Sequence, residues 1–209
     1  MNTGSRQLYT EQIYQALRND IINLVITPGQ KLNIRELQNH FNVSGSPVRE
    51  AISRLYQEGI VEYIPNTGAK VIEFKPKDIL ELEELHTLLD CDALELSIQH
   101  EDFATIAAEL VKLIDAQKQG DLTAANKFHG TFYLHSHNSR LLKIWDHLGA
   151  QAGLVRSLYA QSFQKNKLGD IGLEDHIDIY NAVLAGNLQQ AKAAIRTHHM
   201  NALHFLLRM

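Results

Sequence analysis

The spacing of apolar residues divides this chain into a short mixed region and a longer helical one. Over residues 9–25, Ile13, Ala16, Leu17, Ile21, Leu24 and Val25 recur at intervals of three and four, which predicts one helix with an inward stripe. Thr27-Pro28-Gly29 is the expected stop. Asn33 is placed to cap a second, short helix, with Glu36 three residues on as its capping-box partner and Ile34, Leu37 and Phe41 facing inward. A break at Asn42-Val43-Ser44-Gly45 leads to a third helix. Its predicted N-cap is Ser46, with Pro47 at the first helical position, where a missing N–H costs nothing. Val48, Ala51, Ile52 and Leu55 form its buried stripe, and Gly59 is suited to end it. Two β-branched runs, 60–64 and 69–74, flank Pro65-Asn66-Thr67-Gly68 and predict a hairpin.

Helix, short helix, turn, helix and hairpin is the order of a winged helix-turn-helix. Lys75-Pro76-Lys77-Asp78 reads as a junction, with Asp78 as a candidate cap and residues 73–78 as a hinge. From there the period stays helical, predicting six helices near 78–100, 102–119, 121–138, 140–165, 170–186 and 188–208. Gly120-Asp121, Gly169-Asp170 and Gly186-Asn187 mark three of the breaks. The predicted fold class is mainly α: a winged helix-turn-helix over 1–75 and an all-α helical bundle over 76–209.

Composition changes this picture in three places. The net charge of −4 divides unevenly: residues 1–75 carry 8 Lys/Arg against 7 Asp/Glu, whereas residues 76–209 carry 12 against 17. Any DNA binding by the first region therefore depends on a few well-placed cations and on dimer symmetry, not on bulk attraction. Cys91 is the single cysteine, which excludes an intrachain disulfide and suits a reducing compartment. With no apolar run of membrane-spanning length and no secretory start, the expectation is a soluble, cytoplasmic protein. The eleven histidines concentrate after residue 80, which raises the question of metal chemistry there.

The residues 32–37 (Leu-Asn-Ile-Arg-Glu-Leu), 42–52 (Asn-Val-Ser-Gly-Ser-Pro-Val-Arg-Glu-Ala-Ile) and 65–71 (Pro-Asn-Thr-Gly-Ala-Lys-Val) resemble the GntR family of bacterial transcription regulators over residues 10–74. The resemblance implies a DNA-binding head for double-stranded operator DNA. Arg49 would read a guanine edge, to which a guanidinium fork is matched, and Arg35 would position the backbone or reach a base. Ser44 and Ser46 would add hydroxyl bonds to phosphate, where the helix start also offers N–H groups. Asn66, Thr67 and Gly68 would form a wing tip for the minor groove. One departure stands out: the family commonly has an arginine where this chain has Gly45.

The helical remainder resembles the ligand-sensing FCD-type domain of the FadR-like subgroup, in its shorter six-helix variety. The likeness rests on Phe128-His129 followed by Asn138, on Glu174-Asp175-His176, and on His198 in the last helix. It implies a divalent metal on His129, His176 and His198 beside a small organic acid. Three neutral imidazoles from three helices suit zinc or nickel and leave positions open for a carboxylate. The family's fourth ligand, an aspartate one turn before the first histidine, is Ala125 here, and Asn126 lies off that face. Where the family places an arginine and then an acid four residues on, this chain has His86 and Asp90; Arg156 is a second candidate anion partner, and His86, Asn138 and Arg156 together form the candidate ligand pocket. His135, His137, His199 and His204 read as surface residues or as outer neighbours of the site.

The leading expectation is a non-enzymatic, homodimeric regulator whose operator binding responds to a small carboxylate. Two alternatives stay open. The bundle acts only in dimerisation, as the Ala125 and His86 departures would suit, or three histidines with an open position activate water in a metal-dependent hydrolase. Against the hydrolase, the sequence carries no nucleophile motif and no phosphate-binding glycine loop.

Overall fold

A computed structural model describes residues 3–64, 68–121, 123–162 and 172–207. These divide into two compact units, one of residues 1–74 with 150–158 and one of residues 75–149 with 159–209.

The first unit begins with α1 (Thr3–Ile22), whose Ile13, Leu17 and Ile21 are fully buried as their spacing predicts. The helix stops before Thr27-Pro28-Gly29, because Leu24 takes the left-handed conformation (φ 58°). The N–H groups of residues 23–26 then close back onto the carbonyls of Asn19, Asp20 and Ile21. Leu24 and Val25 are thus outside the helical stripe, and Val25 is 68% exposed. After β1 (Lys31–Leu32) comes α2 (Ile34–Phe41). Asn33 caps it as expected, its side-chain oxygen accepting from Arg35 N at 2.9 Å and Glu36 N at 3.4 Å, while Asn33 Nδ2 donates to Glu36 Oε1 at 2.9 Å.

Helix α3 (Gly45–Gln57) starts two residues earlier than its proline suggests. Ser44, not Ser46, occupies the N-cap, which puts Pro47 at the third helical position and Arg49 just beyond the first turn. Pro47 still loses nothing there, since the first turn's N–H groups lack helical acceptors. Val48, Ala51, Ile52 and Leu55 are buried, and Gly59 (φ 71°) follows the cap residue Glu58, letting Ile60 N reach Leu55 O. The strands β2 (Val61–Ile64) and β3 (Gly68–Val71) pair antiparallel, Val61 opposite Val71 and Ile64 opposite Gly68. The two-residue β1 pairs with the other edge of β3, Leu32 opposite Ala69, giving the order β1-β3-β2. Two residues are too few for an alternation to show in sequence.

The second unit comprises α4 (Pro76–His100), α5 (Phe103–Lys118), α6 (Ala124–His135), most of α7 (Ser139–Ser162), α8 (Leu173–Leu184) and α9 (Leu188–Leu206). Asp78 is the third residue of α4, not its cap, and accepts the Lys75 N–H at 2.7 Å. Asp102 caps α5 by accepting from Thr105 N at 2.6 Å. Leu94, Ile106, Leu110, Phe128, Phe132, Ile179 and Val183 form the core. Within it α6 packs on α4 and α5, α8 on α5 and α9, and α9 on α4. One stretch of α7 departs from the expected boundary: Ala150 and Leu154 belong to the first unit's core, with exposures of 1% and 0%.

Candidate functional site

Three of the helices deliver His129 (α6), His176 (α8) and His198 (α9) to one place in the second unit, all buried. Their nearest ligand atoms lie within 4.8 Å of one another, and His129 Nε2 and His176 Nε2 are 3.2 Å apart. Phe128 stacks on His176 at 4.3 Å with 15° between the planes, which sets the ring's orientation. The adjacent pair Phe128-His129 therefore has a division of labour: one ring supports the neighbouring imidazole that the other meets.

Each imidazole has an oxygen acceptor on its far side. His129 Nδ1 lies 2.7 Å from Asp90 Oδ2, His176 Nδ1 2.8 Å from Gln117 Oε1, and His198 Nδ1 3.4 Å from Asp175 Oδ2. A carboxylate or amide oxygen only accepts, so each Nδ1 carries the proton and the neutral ring keeps its lone pair on Nε2, which for His129 and His176 face each other. Two such lone pairs facing at 3.2 Å repel unless a proton or a cation sits between them. Outer acceptors on Nδ1 and converging Nε2 atoms are the arrangement that orients histidine ligands to a metal. The donor set of three buried imidazoles thus fits a borderline divalent cation.

Asp90 organises a second layer. Its Oδ1 accepts from Tyr133 OH at 2.5 Å, and its Oδ2 also lies 3.0 Å from His199 Nε2. His199 Nδ1 is in turn 2.8 Å from Glu83 Oε2. Burial pushes the His199 imidazole down, but its bonds to Asp90 and Glu83 outweigh that and leave it raised to about 9. Burial likewise pushes Asp90 up, and His129 and His199 more than reverse it, holding the carboxyl well below the usual carboxylate range. Burial and then Asp90 raise the Tyr133 phenol, which stays protonated as a donor.

The structure redistributes several sequence-predicted roles. His199 is a buried link between two carboxylates, so its surface reading is wrong and its reading as an outer neighbour of the site is right. The missing aspartate at Ala125 is not replaced among the inward donors: Asp90 meets the opposite nitrogen of His129. His86 is buried beside Trp145 and His199, with ring centroids 6.3 and 6.0 Å away. Asn138 caps α7, its Oδ1 accepting from Arg140 N at 3.1 Å and Leu141 N at 3.2 Å. Arg156 falls in the 150–158 stretch of the first unit. His135 and His137 pair with Glu109 and Glu101 at 3.1 Å each, and His204 is exposed. Glu83 and Gln117 were missed as site residues, and Asp90 was noted only as the acid four residues after His86, not as a partner of His129. The available signal was Asp90 itself, an acid inside the apolar run Leu88-Leu89-Asp90-Cys91, where an unpaired charge would be costly.

In the first unit, Arg35 and Arg49 project from exposed positions near the starts of α2 and α3, with Ser44 and Ser46 exposed beside them. Ser44 occupies the N-cap without a capping bond from its hydroxyl. Two other arginines brace the unit: Arg18 pairs with Glu58 at 2.9 Å, and Arg54 pairs with Glu11 at 2.6 Å while lying 3.7 Å over the Tyr14 ring. Gly68 opens β3 at φ 120°, a conformation that favours glycine; Asn66 and Thr67 lie outside the described residues.

Residues 9–71 match the bacterial regulatory proteins of the gntR family, and residues 81–201 match the FCD domain. The chain belongs to the GntR family. It is a DNA-binding transcription regulator with an FCD ligand-binding domain. It is 30% identical to the HTH-type transcriptional regulator LutR of Bacillus subtilis, over 87% of this chain and 93% of LutR. An uncharacterized HTH-type regulator of the same organism, YdhC, is 26% identical over 91% of this chain and 87% of its own length. The solved structure of Escherichia coli McbR/YncC shares the fold, with a TM-score of 0.76 at 20% identity, covering 96% of this chain and 97% of that one. LutR and YdhC are both named as transcriptional regulators. Among the described residues, no helix is long and apolar enough to cross a membrane.

Proposed function

We propose that this regulator senses a small organic acid at a divalent metal of the zinc or nickel type, held by His129, His176 and His198. The supporting observation is the convergence of their ring nitrogens within 4.8 Å, with an oxygen acceptor beside each ring at Asp90, Gln117 and Asp175. A bound ion there supplies a Lewis-acid centre with positions open to carboxylate oxygens. The chain's own residues hold the ring tautomers, fix the His176 plane through Phe128 and keep bulk water away by burial. His86, close to Trp145 and His199, is assigned to the effector side as a hydrogen-bond donor.

On the DNA side, a homodimer engages a two-fold symmetric operator through the winged units. Arg49 reads a base edge, Arg35 positions the backbone or a base, Ser44 and Ser46 bond phosphate, and Gly68 at the start of β3 stands on the wing. The effector acts by binding one state of the dimer more tightly than the other.

Elemental mass spectrometry of the purified full-length protein tests the metal centre, with a His129→Ala/His176→Ala variant as control. The expected result is about one metal ion per chain, lost in the variant. An unloaded protein after incubation with Zn²⁺ and with Ni²⁺ would sink this mechanism and favour the bundle as a dimerisation scaffold.

A further inference from the structure

The first residue of α3 is a glycine, and the space where its side chain would begin is occupied. A Cβ at Gly45 would lie 2.7 Å from Arg49 Nη1, 3.4 Å from Arg49 Cζ and 3.4 Å from Gln38 Nε2. The Arg49 guanidinium therefore folds back along the helix and rests over its first turn, beside the amide of Gln38 on α2. We propose that Gly45 is a specificity-determining position: by lacking a side chain, it seats Arg49 and Gln38 side by side as a paired reader of adjacent bases.

Position 45 precedes position 49 by four residues, about 6 Å along the helix axis. That is close to two base-pair steps of about 3.4 Å each. An arginine folded back by that distance reads a different step from one that extends outward. A guanidinium suits guanine O6 and N7, and a glutamine amide suits adenine N6 and N7. Their juxtaposition at Gly45 thus suits an adjacent guanine and adenine in the major groove.

Any other residue at 45 brings a Cβ to 2.7 Å from a guanidinium nitrogen, too close to be tolerated. The conflict is with the far end of a long, exposed side chain. It is relieved by moving the Arg49 head, and the backbone of α3 has no reason to shift. Alanine is also a better helix former than glycine. Substitution at 45 should consequently alter reading while leaving the fold intact.

This inference rests on Arg49 being a base reader, and the experiment separates the two. Full-length wild type, Gly45→Ala, Arg49→Ala and Gln38→Ala are each used to select duplexes from a randomised pool, with thermal melting run in parallel. Arg49→Ala should lose preference at one guanine, and Gln38→Ala at the neighbouring adenine. Gly45→Ala, melting no lower than wild type, should weaken preference at both positions by about tenfold. A Gly45→Ala motif identical to wild type, with the Arg49→Ala loss intact, overturns the seating role alone. An unchanged Arg49→Ala motif overturns the assignment of Arg49 itself.

Discussion

At the scale of single residues, the second unit depends on what stands behind each histidine. Gln117 is buried, and its oxygen sets which His176 nitrogen carries the proton. Gln117→Leu removes that acceptor at similar volume, whereas Gln117→Glu keeps one. Under the metal reading, calorimetric titration of Zn²⁺ should show affinity falling about 10–100-fold in the leucine variant and staying near wild type in the glutamate variant. His199 poses a different problem, because it sits between the Glu83 and Asp90 carboxylates in the interior. His199→Gln leaves two buried acids without the cation between them. Guanidinium denaturation should report a loss of about 3–5 kcal/mol. A loss within error of zero would mean that the two carboxylates do not depend on His199.

At the scale of elements, small residues decide how α6 and α7 approach. A Cβ at Gly130 would lie 2.9 Å from Trp145 Nε1 on α7, and one at Gly149 3.3 Å from Asn126 Nδ2 on α6. Trp145 stacks on Tyr133 at 4.7 Å, and Tyr133 in turn bonds Asp90. Gly130→Ala therefore forces the indole off its seat, with an expected cost of about 1–3 kcal/mol as for other overpacked cores. Trp145 is the only tryptophan in the chain, so its fluorescence should shift in the same variant. Neither glycine shows its purpose in sequence, since both lie mid-helix, where the pattern argues mildly against them. The helices themselves were legible: within the described residues the six predicted segments match α4 to α9 to within a few residues, the predicted ends at 165, 170 and 208 lying outside those residues. In the first unit, where ends differ, local backbone conformation accounts for it, as with the left-handed Leu24 after α1 and the extended Ser44 before α3.

At the scale of the whole molecule, contiguity along the chain and membership of a unit part company. The winged unit takes Ala150 and Leu154 from α7, although the sequence places its boundary near residue 75. Leu154 is completely buried there, so Leu154→Ala should destabilise this unit by about 2–5 kcal/mol, read as a shift in its unfolding transition. A fragment of residues 1–75 lacks both side chains and is expected to melt below the same residues in the intact chain. Equal melting temperatures would show that the α7 stretch adds nothing to that core.

The sequence by itself determined the periods of the helices, the hairpin and the GntR-type reading helix, whereas the grouping of His129, His176 and His198 followed only from the resemblance to the FCD-type domain. The periods, the hairpin and the reading helix are properties of near neighbours, of residues that recur on one face or in one motif. Only the tertiary structure decided that Asp90 backs His129, that Gln117 backs His176 and that His199 lies between two acids. Those partners are separated by 39, 59 and up to 116 positions along the chain. Periodicity states which side of a helix turns inward, and the folded packing states what it meets there. The same holds at Gly45, where the motif shows an absent arginine and the fold shows which arginine takes the space.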